Sequence, residues 1–254
     1  MIISFKHNFI FMKSHKVAGT SVEIALSHSL GPDDIATPIS PEDERLRLAF
    51  GQGPQNYLAP ASKAHEQAFI EQVRTAAKPE HAHDYYRALK VPMIYQNHMH
   101  ASELMALLDP EFWQRSYKFS IERHPYEKAV SFAWFFRNII INKADGTIHR
   151  LEDRLGDLSQ TIDFVLKRRL IRNYDIYAVD QQVVADKVVR YEHLEEDLRA
   201  VEEQIGLPIL SHLPRTKANS RKDRTPAKHV LSSQQKEAIQ SLCAEEFALF
   251  GYEI

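Results

Sequence analysis

Small and polar residues separate an apolar run, FIFM, from a helical pattern near the beginning of the chain. The run is typical of a buried strand, and the apolar residues after Gly19 recur at helical spacing. The first N–H groups of a helix have no partner inside it, and the helix dipole favours a negative charge beside them. Residues 15–21 (HKVAGTS) add the cation of Lys16 and the hydroxyl groups of Thr20 and Ser21, while Gly19 lets an anion approach the backbone. The pattern therefore predicts a site for a phosphate-like group.

A plainer explanation of this turn stays open. Glycine and serine also occur at strand-to-helix turns only as caps of the helix. The Walker pattern GxxxxGK[ST] is absent, because Lys16 precedes Gly19 instead of following it. The turn alone therefore does not distinguish an anion site from a helix cap.

The composition fits one soluble domain. The chain has 254 residues, 44% hydrophobic and 26% charged, with a formal net charge of −2. This length suffices for one large core, and the charge gives no general field for nucleic acid. The single cysteine, Cys243, fits a reducing compartment. No signal-peptide pattern or apolar run of transmembrane length is present. We therefore expect a single domain over residues 1–254 in the cytoplasm, without a nucleic-acid partner or an integral membrane segment; the composition leaves the oligomeric state open.

Strand and helix patterns alternate along the chain. Strands are predicted at 9–12, 91–95, 117–122 and 187–191, each followed by a helical pattern. This alternation predicts a three-layer α/β fold with a mostly parallel sheet flanked by helices. Residues 31–90 interrupt it with prolines and glycines. This insertion is expected either to cover the acceptor side of a site or to be a plain surface excursion.

Residues suited to chemistry fall at or just beyond the predicted strand ends, where open α/β sheets bind ligands. They are Lys16, His98, Arg123 and Tyr191. An imidazole titrates near neutral pH and suits a general base. His98 and His100 both follow the strand at 91–95, and in an extended segment they point to the same side. The choice between them as base is left open.

Two histidine pairs, His81-x-His83 and His98-x-His100, have a spacing that could in principle provide metal ligands. No cysteine or acidic residue accompanies them at a standard zinc spacing. We therefore expect no metal site.

Four segments resemble sulfotransferases that use 3′-phosphoadenosine 5′-phosphosulfate (PAPS). HKVAGTSVE resembles the 5′-phosphosulfate loop, which reads PKTAGTS in the carbohydrate branch of that family. IERHPYEKAVS resembles the 3′-phosphate segment, where a serine follows an arginine by eight residues, as Ser131 follows Arg123. VVRYEHL resembles the late YExL stretch, and LCAEEFALFGYE resembles the last helix. The matches keep the family's order and leave 31–90 uncovered.

The resemblance implies a fold related to P-loop NTPases, PAPS as co-substrate and no metal. Two phosphate groups need two anion sites, and an arginine presents a fork of donors to a phosphate. The implied donor-binding residues are His15, Lys16, Val17, Ala18, Gly19, Thr20 and Ser21 at the 5′-phosphosulfate, Arg123 and Ser131 at the 3′-phosphate, and Tyr191, Arg221 and Lys222 elsewhere.

The resemblance also assigns chemical roles. Sulfuryl transfer depends on positioning and charge stabilisation, as phosphoryl transfer does. Lys16 then stabilises the leaving group, and His98 acts as general base, with His100 as its rival. Two residues depart from the family pattern: Asn97 stands where many relatives have glycine, and His15 where they have proline.

The expected function is sulfation of a hydroxyl group on a small molecule or a glycan, with carbohydrate sulfation as one candidate. One alternative is an ATP-dependent kinase of the P-loop type, which needs a serine or threonine directly after a GK pair. The other is a nucleotide- or glycan-binding module that keeps the fold without turnover.

Overall fold

The structure is a computed structural model that describes residues 1–76, 91–142, 148–214, 223 and 225–253. The described part is α/β, with a mixed five-stranded sheet flanked by helices. The chain divides into two compact units. Unit 1 comprises Met1–Ser14, Ala18–Ile121 and Asp175–Pro214, and unit 2 comprises His15–Val17, Glu122–Tyr174 and Arg215–Ile254.

The described strands are short. In chain order they are β1 (Ile2–Ser4), β2 (Phe9–Phe11), β3 (Ile35–Ala36), β4 (Tyr117–Glu122), β5 (Ile140–Asn142), β6 (Ile148–Arg150), β7 (Ala178–Val179), β8 (Gln182–Val183) and β9 (Lys187–Arg190). The described α-helices are α1 (Gly19–Leu26), α2 (Pro41–Phe50), α3 (Lys63–Thr75), α4 (Ala101–Leu107), α5 (Pro110–Arg115), α6 (Pro125–Arg137), α7 (Glu152–Leu155), α8 (Leu158–Lys167), α9 (Tyr174–Tyr177), α10 (Leu194–Ile205), α11 (Ala227–Val230), α12 (Ser233–Leu242) and α13 (Ala244–Phe250).

The five-stranded sheet has the order β3-β1-β2-β4-β9. β1 pairs antiparallel with β2 and with β3, so that Ile3 lies opposite both Ile10 and Ile35. β2 pairs parallel with β4, with Phe11 opposite Phe119. The prediction of a mostly parallel sheet is therefore wrong. A strand that returns through a short turn, as β1 does into β2, runs antiparallel, because a parallel neighbour needs a long crossover.

Residues 91–95 do not form the predicted core strand. Met93 makes an isolated bridge with Leu58, outside the five-stranded sheet. Pro92 cannot donate a backbone hydrogen bond, and Ile94 is exposed. A short apolar run does not by itself distinguish a strand from a loop. The other predicted strands are confirmed as β2, β4 and β9.

The residues that end or cap helices were predicted more reliably than the strand at 91–95. The helical pattern after 187–191 predicts a stop at Gly206, and Gly206 ends α10 with a φ of 70°, a conformation that glycine adopts without strain. The Ser-x-x-Gln spacing of Ser232 and Gln235 predicts a capping box, and the two residues form one at the start of α12. The insertion contains α2, which begins with Pro41 after the capping residue Ser40. Among the described residues, no helix is long and apolar enough to cross a membrane.

The core of unit 2 forms where α6 packs on α8, α11 and α12. Its buried side chains include Val130, Ile162, Val165 and Ile239. The sequence of α6 is apolar nearly all round, which predicts a deeply buried helix, but Phe135 is 46% exposed. One side of α6 therefore reaches the surface.

In unit 1, Asp197 ties α10 to β9. Its carboxylate accepts the Arg190 N–H at 2.8 Å, Arg190 Nε at 3.1 Å and Lys187 Nζ at 3.1 Å. Burial by itself would raise the pKa of Asp197, but these hydrogen bonds lower it from 3.8 to about 2.

We expect Asp197→Asn to lower the free energy of unfolding at pH 7 by about 2 kcal/mol, because each pKa unit corresponds to about 1.4 kcal/mol. The folded-state pKa of Asp197 is lowered, so its contribution is present above pH 4 and is lost as the pH falls towards about 2. Urea unfolding of both proteins at pH 7 and pH 3 measures this. Glu196→Gln, an exposed change on the same helix, should have little effect, and equal losses in the two variants would contradict the prediction.

Candidate functional site

Hydrogen bonds with β4 hold the segment that follows β2 where it leaves the sheet. The Met12 N–H donates to the Phe119 carbonyl at 2.9 Å. Ser120 Oγ donates to the Met12 carbonyl at 2.7 Å and lies 2.8 Å from Ser14 Oγ. All these groups belong to unit 1. Strand β4 therefore sets the direction in which the predicted anion loop begins.

Two residues of this loop have a backbone conformation that L-amino acids rarely adopt. Lys16 has a φ of 59° and Ala18 a φ of 63°. The left-handed conformation costs about 1–2 kcal/mol per residue, and strain of this kind collects at functional sites. His98, the predicted base, shares this feature with a φ of 63°.

The hydroxyl residues of the loop do not cap α1. Ala18 occupies the cap position and has no side chain that can accept a hydrogen bond. Its carbonyl accepts the Ser21 N–H at 3.0 Å, and Thr20 and Ser21 lie inside the helix. The plainer explanation, that glycine and serine serve here as caps, therefore does not fit. The start of α1 keeps its positive dipole end beside the loop.

A buried lysine that no sequence pattern indicated packs against this helix. Lys13 is 6% exposed, and its Nζ pairs with the carboxylate of Glu23 on α1. A Cβ added to Gly19 would lie 2.8 Å from Lys13 Cγ. Gly19 is thus required for the packing of Lys13, in addition to the ligand access that the sequence predicts for it. The feature of the sequence that could have pointed to Lys13 is Glu23, a lone acid in the apolar helix pattern.

The two candidate bases have different surroundings in unit 1. His98 Nδ1 lies 2.9 Å from the Lys13 carbonyl oxygen, so His98 is held against the beginning of the predicted loop. His100 is exposed and precedes α4, where its backbone N–H donates to Glu103 Oε2 at 2.8 Å. The structure therefore distinguishes the two histidines, which the spacing could not do.

Asn97, which stands where the sulfotransferases that the sequence resembles often have glycine, anchors the turn that carries His98. Its Oδ1 accepts the Thr37 hydroxyl at 2.8 Å, and its Nδ2 donates to the Pro38 carbonyl. Asn97 therefore forms contacts with the insertion at 31–90 that a glycine could not form.

In unit 2, Lys16 is half-buried and its Nζ lies 4.3 Å from the centroid of the Phe135 ring. The Arg123 side chain is 17% exposed, and its guanidinium lies 3.5 Å from the Glu127 carboxylate. Glu127 also accepts the Ala227 N–H at 2.7 Å. Ser131 is half-buried on α6, four residues after Glu127, a spacing that puts both residues on one side of the helix.

The remaining predicted residues are less informative. Val17 is buried, and the His15 ring lies 5.7 Å from the Phe132 ring, centroid to centroid, in unit 2. Tyr191 is half-buried at the start of a 3₁₀ turn after β9. Arg221, Lys222, His81 and His83 lie outside the described residues. Within the described ranges, no group of three or more histidine, cysteine or acidic side chains could hold a metal ion.

No protein-family model, curated protein or solved structure matches the chain.

We expect Gly19→Ala to lower the free energy of unfolding by about 1–3 kcal/mol, because the new methyl group overpacks against buried Lys13. Ala18→Gly is the matched control: it relieves a left-handed residue and should be neutral or stabilising by up to about 1 kcal/mol. Urea unfolding measures both. A Gly19→Ala protein as stable as the wild type would contradict the packing argument.

Proposed function

We propose that the chain is a sulfotransferase with a P-loop-related fold that moves a sulfuryl group from PAPS to a hydroxyl acceptor. The acceptor oxygen bonds to sulfur as the bond between sulfur and the bridging oxygen of the 5′-phosphate breaks. The acceptor proton passes to the base. The products are a sulfate ester and adenosine 3′,5′-bisphosphate.

The observation that carries the proposal is the loop before α1. It combines two left-handed residues, a helix start with no capping side chain and a lysine that precedes the glycine. A P-loop kinase needs its lysine and a Mg²⁺-binding hydroxyl directly after the glycine, and this chain has Thr20 there without the lysine. Lys16 is assigned to the bridging oxygen, where negative charge develops as the bond breaks.

A second anion site is assigned to Arg123 and Ser131 for the 3′-phosphate. Glu127 orients the guanidinium at 3.5 Å. Its own charge is partly offset by the hydrogen bond from the Ala227 N–H. An arginine held in this way loses little side-chain entropy on binding an anion, which favours a bidentate contact with phosphate.

His98 is assigned as general base. A carbonyl oxygen only accepts hydrogen bonds, so the contact with the Lys13 carbonyl requires the proton of the neutral ring to be on Nδ1. The Nε2 lone pair is then the proton acceptor. The contacts of His100 suggest a helix-capping role instead.

The two alternative functions predict different results in ligand binding and turnover. A kinase would be stabilised more by Mg-ATP than by adenosine 3′,5′-bisphosphate. A binding module would bind the bisphosphate without catalysing transfer. The acceptor class extends from small molecules to glycans, and a cytoplasmic location belongs to the proposal because the single cysteine fits a reducing compartment.

We expect calorimetry to show that the protein binds adenosine 3′,5′-bisphosphate at least tenfold more tightly than adenosine 5′-monophosphate, since charged hydrogen bonds contribute about 1.5–3 kcal/mol. Arg123→Gln should abolish most of this preference. Arg137→Gln, which removes another ion-paired arginine of α6, should keep it. No binding at millimolar bisphosphate would falsify the proposal, and tighter binding of Mg-ATP would favour the kinase.

The base assignment is tested with variants that keep local contacts. We expect His98→Asn to retain a donor near the Lys13 carbonyl and to bind the bisphosphate normally, but to transfer labelled sulfate about 10²–10⁴-fold more slowly. An acceptor panel identifies the substrate for this assay. His100→Asn, which keeps a good helix cap, should leave the rate close to that of the wild type. The reverse result would assign the base role to His100.

A further inference from the structure

Asn173 is a buried polar residue that no sequence pattern indicated. It precedes α9 in unit 2 and has no exposed surface. Its side-chain amide binds the backbone of His15 twice: Oδ1 accepts the His15 N–H at 3.0 Å, and Nδ2 donates to the His15 carbonyl at 3.1 Å. A single side chain therefore satisfies both backbone groups of the residue before Lys16.

These two hydrogen bonds fix two peptide planes. The His15 N–H belongs to the plane shared with Ser14, and the His15 carbonyl belongs to the plane shared with Lys16. Together they therefore fix φ and ψ of His15, and the second plane is also the one from which the φ angle of Lys16 is measured. A positive φ at a lysine persists only where the surrounding structure enforces it, and the bond from Asn173 Nδ2 acts directly on that plane.

The orientation of the amide is itself determined by its neighbours. Nδ2 lies 3.3 Å from Glu122 Oε1, and a carboxylate oxygen accepts but does not donate. The same Glu122 oxygen accepts Lys128 Nζ at 2.7 Å. Burial disfavours the lysine charge, but the Glu122 carboxylate raises the pKa of Lys128 above its ordinary value. The ion pair is thus maintained, and it holds Asn173 with Oδ1 towards the His15 N–H.

We infer that Asn173 is a positioning residue that sets the backbone of Lys16 for donor binding, an inference that rests on the proposed function. The departure at His15 explains why such a residue is needed. A proline at this place would fix its own φ and would have no N–H, whereas His15 has a free choice of φ and an N–H that must be satisfied. The Asn173 amide restricts the backbone of His15 through two hydrogen bonds, whereas a proline ring would restrict it through a covalent bond.

The clamp itself is tested without any ligand. In Asn173→Ala and in the milder Asn173→Ser, which is too short to reach both atoms of His15, we expect the His15 amide to exchange at least about tenfold faster in NMR hydrogen-exchange measurements. Gln235→Ala is the matched control. It removes another buried amide of unit 2, whose partners are Ser159 and Asp163. Unchanged exchange in Asn173→Ser would overturn the inference.

The action through Lys16 is tested by a double-mutant cycle. We expect Asn173→Ser to weaken binding of adenosine 3′,5′-bisphosphate about tenfold when Lys16 is present and less than about twofold in a Lys16→Ala background. Equal losses in both backgrounds would overturn the positioning role while leaving the proposed function intact. A wild-type protein that does not bind the bisphosphate would contradict the proposed function, and the exchange experiment would still decide whether Asn173 holds His15.

Discussion

The burial of one carboxylate at the end of β4 governs the arrangement of unit 2. The Glu122 side chain has no exposed surface, and a buried charge is tolerated only when donors surround it. Lys128, the backbone N–H of Arg123 and Asn173 provide them. Each of these three residues also has a second structural or proposed role. Lys128 fixes the first turns of α6, Arg123 enters the predicted 3′-phosphate site, and Asn173 holds the backbone before Lys16. Removing Lys128 would leave the buried carboxylates of Glu122 and Glu246 without the lysine that pairs with both of them.

Unit 1 also contains a buried ion pair, which lies next to α1. Lys13 and Glu23 are both buried and form an ion pair, which requires Gly19 to have no side chain. The Lys13 backbone carbonyl meanwhile receives His98 Nδ1. In each unit, therefore, a buried ion pair without an assigned role in ligand binding contacts a residue that has a proposed role. That residue is His98 in unit 1 and Arg123 in unit 2. Such pairs add little net stability compared with apolar packing, so their value here lies in fixing positions.

The strength of local signals explains what could be predicted from the sequence. Gly206 and the Ser232–Gln235 box act within one turn of helix, and both were predicted correctly. The segment 91–95 failed because Pro92 and tertiary context override the apolar pattern. β1 was not predicted, because three residues are too short to show a strand pattern, and the antiparallel part of the sheet was missed with it. Asn173 and Lys13 were missed because their partners, His15 and Glu23, are chosen by the fold, and polarity alone does not indicate a buried contact. The strands that precede Lys16, Arg123 and Tyr191 were located correctly, whereas the roles of these residues remain proposals.

The resting position of Lys16 bears on how the donor would be bound. Its Nζ lies over the ring of Phe135, which is 46% exposed. A cation–π contact at such an exposed site is worth about 0.5–1 kcal/mol, whereas a hydrogen bond from a charged group is worth about 1.5–3 kcal/mol. A phosphate oxygen within reach would therefore displace the ring as the partner of Lys16. Because Asn173 holds the backbone before Lys16, this exchange would need only side-chain rotations, and the ring would keep the ammonium group localised until the proposed donor binds.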